Sequence, residues 1–224
     1  KPEVIYNTAT GFTADTFEQV TAADPTQIIA VNQAVDARTK ESLEEIAPTT
    51  VKPNGYEDWQ VPWEKQVETI ADAVGKEDEG DKLIDDTEKA FEDFRHEHAE
   101  LQDKSAAIVM PYDGKIGLYT EEDGRGQFIE DLGMEIPDAL QGDGGSFFVD
   151  IAPENYAKLN QVDYLFVLDY DGSSAVLKKD KTFQGLDIVK DGRVRYLDTD
   201  TGNAMSMPNP VTIPWAVDKF EEKL

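Results

Sequence analysis

The residue best placed for ligand chemistry is Arg125, which stands between two glycines. A helix is predicted directly after it, over residues 126–132, so Arg125 lies near a helix N-terminus. There its guanidinium and the free backbone N–H groups of the first turn can face the same anion. Tyr112 and Tyr119 are the nearest aromatic side chains that can stack beside it. The segment therefore predicts a binding site for an anionic ligand.

Other residue types that do chemistry are present, but their spacing does not suit it. His96 and His98 fall in one predicted helix and point about 200° apart, so they cannot share a metal ion. Residues 198–202 look like the opening of a calcium loop, yet its twelfth position is Asn209 rather than a bidentate Glu, so we expect a turn. No histidine is available for a Ser-His-Asp triad. We therefore predict no catalytic residue and no metal site, and no enzyme activity.

The composition argues against several classes of partner and site. The chain has 47 Asp and Glu against 21 Lys and Arg, a formal net charge of −26. A field of that sign repels phosphate backbones, which argues against nucleic-acid binding. Cysteine is absent, so there is no disulfide framework and no thiolate metal site. No resident cofactor is predicted, and no apolar run approaches the length of a membrane span.

Strand and helix signals alternate along the chain. Apolar runs predict strands, and the segments between them carry helical periodicity. This order indicates an α/β protein with two lobes, whose mainly parallel sheets are flanked by helices. Ligands of such sheets bind at the carboxyl ends of the strands. The predicted strands are 28–31, 49–51, 106–110, 147–149, 164–168 and 194–197.

The longest helix signal lies between the two α/β segments. From residue 81 to residue 103, apolar side chains recur every three or four positions without Gly or Pro, and Phe91 and Phe94 should face inward. This predicts one rigid connector helix. We expect an N-terminal lobe at 1–75, the connector at 76–104, and a C-terminal lobe with a closing helix at 105–224. The first residues, 1–5, suggest extended chain from the middle of a domain, so we expect an upstream part to be missing.

Taken in order, these pieces resemble the iron–siderophore substrate-binding proteins of ABC importers. Residues 17–30 look like the family's helix–Pro–strand segment, and Leu-Glu-Glu-Ile-Ala-Pro-Thr at 43–49 is similar to its L-x-x-I-A-P-T motif. Residues 63–75 match its W-to-G helix, and 188–194 look like A-V-K-x-G-R-V. The chain departs from the pattern in three ways. The opening strands have no counterpart, Thr26-Gln27 replaces the usual Asp-Leu, and the acidity is unusual.

The resemblance implies an extracytoplasmic, lipid-anchored, monomeric receptor. It would capture a ferric siderophore in an inter-lobe cleft and deliver it to the permease of an ABC importer, while the chelator supplies the iron ligands. Similar receptors engage permease arginines with one acidic residue on each lobe, and Glu18 and Glu154 match these positions. On this reading Arg125→Ala weakens binding of an anionic ferric chelate by ~1.5–3 kcal/mol. The residues expected to bind ligand are Arg125, Tyr112, Tyr119, Trp59 and Trp215.

Three other readings stay open at this point. A receptor of the same fold for cobalamin or haem fits the same motifs. A small α/β enzyme acting on a sugar or nucleotide would need a titratable cluster at strand carboxyl ends, which the sequence does not offer. A structural domain whose acidic surface binds a basic partner would need no cleft.

Overall fold

The computed structural model describes residues 11–224, so the extended start predicted for 1–5 lies outside the described residues. The chain divides into two compact units, Lys1–Asp81 and Lys82–Leu224. The sequence-based limits of the lobes and the connector stay a prediction. The elements of the first unit, and the long helix in which the division falls, are α1 (Ala14–Ala22), β1 (Ile28–Ala30), α2 (Ala37–Glu44), β2 (Thr49–Val51), α3 (Trp63–Val74) and α4 (Glu77–Glu97).

The first unit contains a two-stranded parallel sheet, in which Ile28 of β1 pairs with Thr49 of β2. Both strands are predicted from the sequence, the first from its apolar run at 28–31 and the second at 49–51, and both predictions are confirmed. Local sequence sets the helix ends. Asp36 caps α2 by accepting a hydrogen bond from the Thr39 N–H at 2.7 Å. Gly75 ends α3 in the left-handed conformation, with φ of 68°.

The connector helix differs from its prediction at the carboxyl end. The α-helix ends at Glu97 and a 3₁₀ turn follows at Ala99–Leu101, so the expected continuation to residue 103 is wrong. The cause is a competing set of backbone hydrogen bonds. Glu135 N–H donates to the Lys104 carbonyl at 2.9 Å, and Ala106 N–H donates to the Glu135 carbonyl at 2.8 Å. These bonds align the chain with the start of the next strand rather than with the helix.

The inward direction of the connector's aromatic side chains is confirmed. Phe91 and Phe94 are both buried. The Phe91 ring meets Phe128 edge-on with centroids 5.4 Å apart, and the Phe94 ring meets Phe220 at 6.2 Å. Aromatic pairs at such angles add to the stabilisation from burial. The carboxyl half of α4 is thus packed into the core of the second unit.

The second unit is built on one five-stranded sheet in the order β5-β4-β3-β6-β7. The pairs β3–β6 and β6–β7 are parallel, while β3–β4 and β4–β5 are antiparallel. The predicted α/β fold is confirmed, with an antiparallel edge added to the parallel sheet. Its elements are β3 (Ala106–Tyr112), β4 (Lys115–Tyr119), α5 (Gly124–Asp131), β5 (Phe148–Ile151), β6 (Tyr164–Asp169), α6 (Ala175–Lys179), α7 (Lys181–Gln184), α8 (Asp187–Lys190), β7 (Val194–Asp198), α9 (Thr199–Ser206) and α10 (Thr212–Glu221).

Both faces of this sheet are covered. On one face Val109, Leu118 and Val167 belong to a core that includes side chains of a 3₁₀ helix at Pro153–Gln161 and of α6 to α8. On the other face the Phe166 ring contacts Phe220 of α10 at 4.5 Å. Coverage of both faces explains why the central strands read as continuous apolar runs. None of the helices within residues 11–224 is long and apolar enough to cross a membrane.

Candidate functional site

Glycines bring Arg125 against the sheet. A Cβ atom at Gly126 would lie 1.9 Å from the Thr120 carbonyl oxygen, so only glycine lets the first turn of α5 close onto the end of β4. Asp123 caps the helix, accepting a hydrogen bond from the Arg125 N–H at 2.9 Å. This close turn carries the Arg125 side chain over the last residue of β4, Tyr119.

The Arg125 guanidinium is held on three sides by the protein. Its carbon lies 3.6 Å from the centroid of the Tyr119 ring. Nε donates to Asp123 Oδ1 at 2.7 Å and Nη2 donates to Asp123 Oδ2 at 2.9 Å, which makes a bidentate ion pair. Nη1 donates to the Tyr170 hydroxyl at 3.4 Å. The Arg125 and Asp123 side chains are only 13% and 9% exposed, so water screens their pairing weakly.

The pKa shifts of Arg125 and Tyr119 follow from this arrangement. Burial by itself lowers the pKa of Arg125, but the hydrogen bonds and negative charge of Asp123 outweigh it and raise the pKa above the ordinary arginine value. Burial also raises the pKa of Tyr119, and the neighbouring Arg125 charge opposes that shift. Arg125 therefore stays cationic, and its positive charge is paired with the Asp123 carboxylate.

Four aromatic residues, Tyr112, Tyr119, Phe147 and Phe148, form a cluster beside this pair, here called the aromatic patch. The Phe148 ring lies 5.3 Å from that of Tyr112, 5.2 Å from that of Tyr119 and 6.4 Å from that of Phe147. Tyr119 is 5% exposed, Tyr112 and Phe148 are half-buried, and Phe147 is exposed. A ligand would therefore meet Tyr112, Phe147 and Phe148, with Tyr119 and Arg125 supporting them.

Gly117 explains why Phe148 can lie across the sheet. A Cβ atom at Gly117 would be 1.8 Å from the Phe148 ring. Phe148 pairs with Tyr119 in the ladder between β4 and β5, and its ring bends over the bare backbone of Gly117. Glycine in a strand interior often marks such a close approach.

The polar rim of the patch is also internally paired. The Tyr112 hydroxyl donates to Asp150 Oδ1, and Lys115 Nζ donates to Asp150 Oδ2 at 2.9 Å. The hydrogen bond to Asp150 is the main cause that raises the pKa of Tyr112, and the same bond is the main cause that lowers the pKa of Asp150. The patch thus offers aromatic surface with its charges already matched, which suits a bulky ligand with apolar surface.

A cavity of about 300 Å³ adjoins the patch at Tyr112. It lies beside the β3–β4 turn and is also lined by Tyr156, Ser173 and Asp180. The Ser173 hydroxyl is buried and has no hydrogen-bond partner within residues 11–224. Leaving a buried hydroxyl unpaired costs about 1–3 kcal/mol.

Comparison with known proteins decides the family. The sequence profile described as "Periplasmic binding protein" matches residues 7–201. The chain belongs to this periplasmic binding protein family. No curated protein sequence matches it.

Solved structures agree with the assignment to periplasmic binding proteins. The iron uptake ABC transporter substrate-binding protein PiaA of Streptococcus pneumoniae is 25% identical, with a TM-score of 0.80, over 97% of this chain and 75% of that chain. PiaA in complex with ferrichrome is also 25% identical, with a TM-score of 0.78, over 92% and 71%. Staphylococcus aureus SirA is 20% identical, with a TM-score of 0.72, over 93% and 79%, and shows the fold alone.

This periplasmic binding protein brings three of the five expected ligand residues together. Arg125 stacks on Tyr119, and Phe148 links Tyr119 to Tyr112. Trp215 is exposed on α10 and shares no ring contact with them in the described part of the chain. Trp59 belongs to the first unit, where it is exposed with a left-handed φ of 68°. The ligand role of all five stays a prediction.

Three residues of the site escaped the sequence analysis: Phe147, Phe148 and Asp123. Phe148 is the centre of the aromatic patch, and Asp123 holds Arg125. The neighbouring β3–β4 hairpin had a readable signal, because Asp113-Gly114 is a strong two-residue hairpin turn and both residues have positive φ here, 44° and 73°. That signal predicts β4 and places Tyr119 on a strand paired with β3.

The remaining expectations concern docking and metal binding. Glu18 lies on α1 and Glu154 lies in the first turn of the 3₁₀ helix Pro153–Gln161, and both are exposed. His98 lies beyond the end of α4, so its expected position in mid-helix is wrong, and its Nε2 lies 3.0 Å from Glu221 Oε1. Asp198 caps α9 rather than forming a free turn. Within residues 11–224, no group of three His, Asp or Glu side chains is placed to hold a metal ion.

Proposed function

We propose that this periplasmic binding protein is an extracytoplasmic receptor that binds a ferric siderophore and delivers it to an ABC importer. The observation that carries the proposal is the aromatic patch with the paired Arg125 beside it. The likeness to PiaA, an iron uptake protein whose structure is known with ferrichrome, supports it.

The patch fits the chemistry of a chelate. A ferric siderophore is bulky and presents ligand arms and apolar edges around an iron that the chelator itself coordinates. The receptor then needs no metal ligands of its own, only aromatic surface and a few polar anchors. Tyr112, Phe147 and Phe148 offer that surface, and the adjoining cavity at Tyr112 offers room for a further part of the ligand.

The delivery step is proposed to use one acidic residue on each unit. Glu18 and Glu154 are exposed and match the docking positions of similar receptors. Oppositely charged contacts of this type steer association and set its orientation. In this proposal the receptor acts as a monomer that a lipid anchor holds at the outer surface of the membrane.

A fluorescence titration tests the proposal directly. Trp59 and Trp215 are exposed and can report a bound chelate, whereas Trp63 is buried. Iron-loaded hydroxamate, catecholate and carboxylate siderophores are titrated into the purified protein, with the iron-free chelators and with cobalamin and haem as comparisons. Saturable quenching by at least one ferric siderophore, with the coloured complex retained on gel filtration, is the expected result. Binding of cobalamin or haem with no siderophore bound would contradict the proposal.

A further inference from the structure

We infer that this receptor selects electroneutral ferric chelates over anionic ones, and that Asp123 is the residue that sets the selectivity. The inference rests on the proposed function, because it names the class of siderophore that the aromatic patch accepts. It also reverses the expectation drawn from Arg125 in the sequence, where a lone guanidinium beside a helix N-terminus indicates an anionic ligand.

The ion pair between Arg125 and Asp123 leaves neither partner free for a ligand. Both carboxylate oxygens of Asp123 accept from Arg125, at 2.7 and 2.9 Å, while Oδ1 also caps α5. The guanidinium is at the same time fixed on the Tyr119 ring. To reach a ligand it would have to leave Asp123, and a carboxylate that is 9% exposed would then be left without its partner. An anion that approaches Arg125 therefore also approaches Asp123.

The aromatic patch as a whole has its charges paired. Its other basic side chain, Lys115, donates to Asp150, which also accepts from Tyr112. Arg125 and Lys115 thus balance Asp123 and Asp150, so the described part of the patch has no surplus of positive charge from these pairs to offset the field of a chain with a net charge of −26. That field disfavours an anionic chelate, whereas a neutral one gains the aromatic contacts without a charge penalty.

The test compares two probes and one charge-neutralising variant. The probes are a ferric tris-hydroxamate without net charge and a trianionic ferric tris-catecholate. Asp123→Asn keeps a side-chain oxygen for the helix cap, because Asn caps helices as well as Asp does. We expect the parent protein to bind the neutral chelate at least about tenfold more tightly. In Asp123→Asn the dissociation constant of the trianionic chelate should fall about tenfold, while that of the neutral chelate changes by less than about threefold.

A matched control removes the effect of total charge. Asp187 lies on α8 and forms an exposed pair with Lys190 at 3.7 Å. Asp187→Asn changes the net charge by the same amount as Asp123→Asn, so it should leave the ratio of the two affinities unchanged. An equal shift in both variants would show a general field effect and overturn the role of Asp123.

Salt dependence gives a second measurement that needs no variant. If the parent's site repels anions, its affinity for the trianionic chelate should rise with ionic strength, while its affinity for the neutral chelate stays constant. A parent protein that prefers the trianionic chelate, or an Asp123→Asn protein with an unchanged affinity ratio, would overturn the inference and leave the siderophore receptor in place. A parent protein that binds no ferric siderophore would instead overturn the proposed function itself.

Discussion

The two units bury their sheets to very different degrees. In the second unit the central strands are closed on both faces, and Ile108 of β3 is 0% exposed. In the first unit β1 and β2 form a two-stranded sheet, and Ile29 of β1 is 41% exposed. A side chain packed on every side has one position, whereas a half-covered strand leaves its side chains more freedom. Site geometry in the second unit is therefore set by its core.

The largest expected effect comes from one substitution made in both units. Ile108→Ala should lower the free energy of unfolding by about 2–5 kcal/mol, because it leaves a cavity in a closed core. Ile29→Ala removes the same atoms from a side chain that is already partly in water, so its cost should stay below about 1 kcal/mol. Urea unfolding followed by far-UV circular dichroism measures both. Equal losses of unfolding free energy would mean that the two sheets are equally well covered, and would contradict the difference in burial between Ile108 and Ile29.

The same contrast explains what the sequence could predict. Apolar runs predicted β3 and β6 nearly to their ends, because strands buried on both faces need apolar residues at every position. β4 was missed because Gly117 and Lys115 interrupt its apolar pattern, yet Gly117 is the residue that lets Phe148 cross the sheet. Local sequence thus identified the core and overlooked the residue that shapes the site.

The pairing of Arg125 lay beyond the sequence for a different reason. Whether an arginine is free or paired depends on the rotamers of side chains that the tertiary fold confines. Asp123 is only two residues away, but the helix cap is what points its carboxylate at the guanidinium, and the Tyr119 ring fixes the other side. The sequence therefore indicated Arg125 and Tyr119 as neighbours, whereas the pairing of Arg125 with Asp123 is visible only in the fold.

The next effect tests whether close packing positions Arg125. In Gly126→Ala the added Cβ would meet the Thr120 carbonyl oxygen at 1.9 Å, so α5 must move away from β4. Overpacking of this kind costs about 1–3 kcal/mol. We also expect weaker siderophore binding, because Arg125 and Tyr119 no longer support the aromatic patch. Thermal or urea unfolding and the tryptophan titration measure the two effects.

Gly144→Ala is the control for backbone strain alone. Gly144 has a φ of 81°, and nothing lies within 4 Å of an added Cβ. Its substitution should cost about 1–2 kcal/mol, because an L-residue is strained at this φ, and should leave siderophore affinity intact. If Gly126→Ala proves no more harmful than Gly144→Ala, close packing does not hold the site together.

A smaller effect is expected for docking to the permease, to which each unit should contribute one acidic residue. If Glu18 and Glu154 both engage the permease, Glu18→Arg and Glu154→Arg should each reduce cellular uptake about tenfold, equivalent to ~1.4 kcal/mol of docking energy. Siderophore affinity should not change. Uptake of radioactive iron is measured in cells that carry the cognate permease and lack their own receptor. Glu88→Arg, at an exposed position of α4, makes the same charge change elsewhere. Uptake that equals this control would remove both residues from the docking surface.

The smallest effect is expected at Glu130, which lies near the carboxyl end of α5, beyond Arg125. Burial of its carboxyl group, followed by the charges of Glu121 and Glu135, raises the pKa of Glu130 to about 7 from an ordinary 4.5. The folded protein then holds more protons than the unfolded chain between these two values. Its stabilising contribution is complete below pH 4.5, falls as the pH rises toward 7, and is lost above that value.

Glu130→Gln removes this pH dependence. Near pH 8 the variant should be more stable than the parent protein by about 1 kcal/mol. The value is kept low because the Glu130 carboxyl is only half enclosed and the residue keeps exposed surface, so solvent screens its charge. At pH 4 the two proteins should differ little. Urea unfolding across this pH range measures the difference in stability between the two proteins. Glu92→Gln, at an exposed position of α4, is the control for the loss of one negative charge in so acidic a chain. A gain that is the same at pH 4 and pH 8, or the same in both variants, would mean that the neighbouring carboxylates do not act on Glu130. The repulsion between carboxylates would then be distributed over the whole surface of the chain. It would not be concentrated at Glu130, beside the candidate site of the second unit.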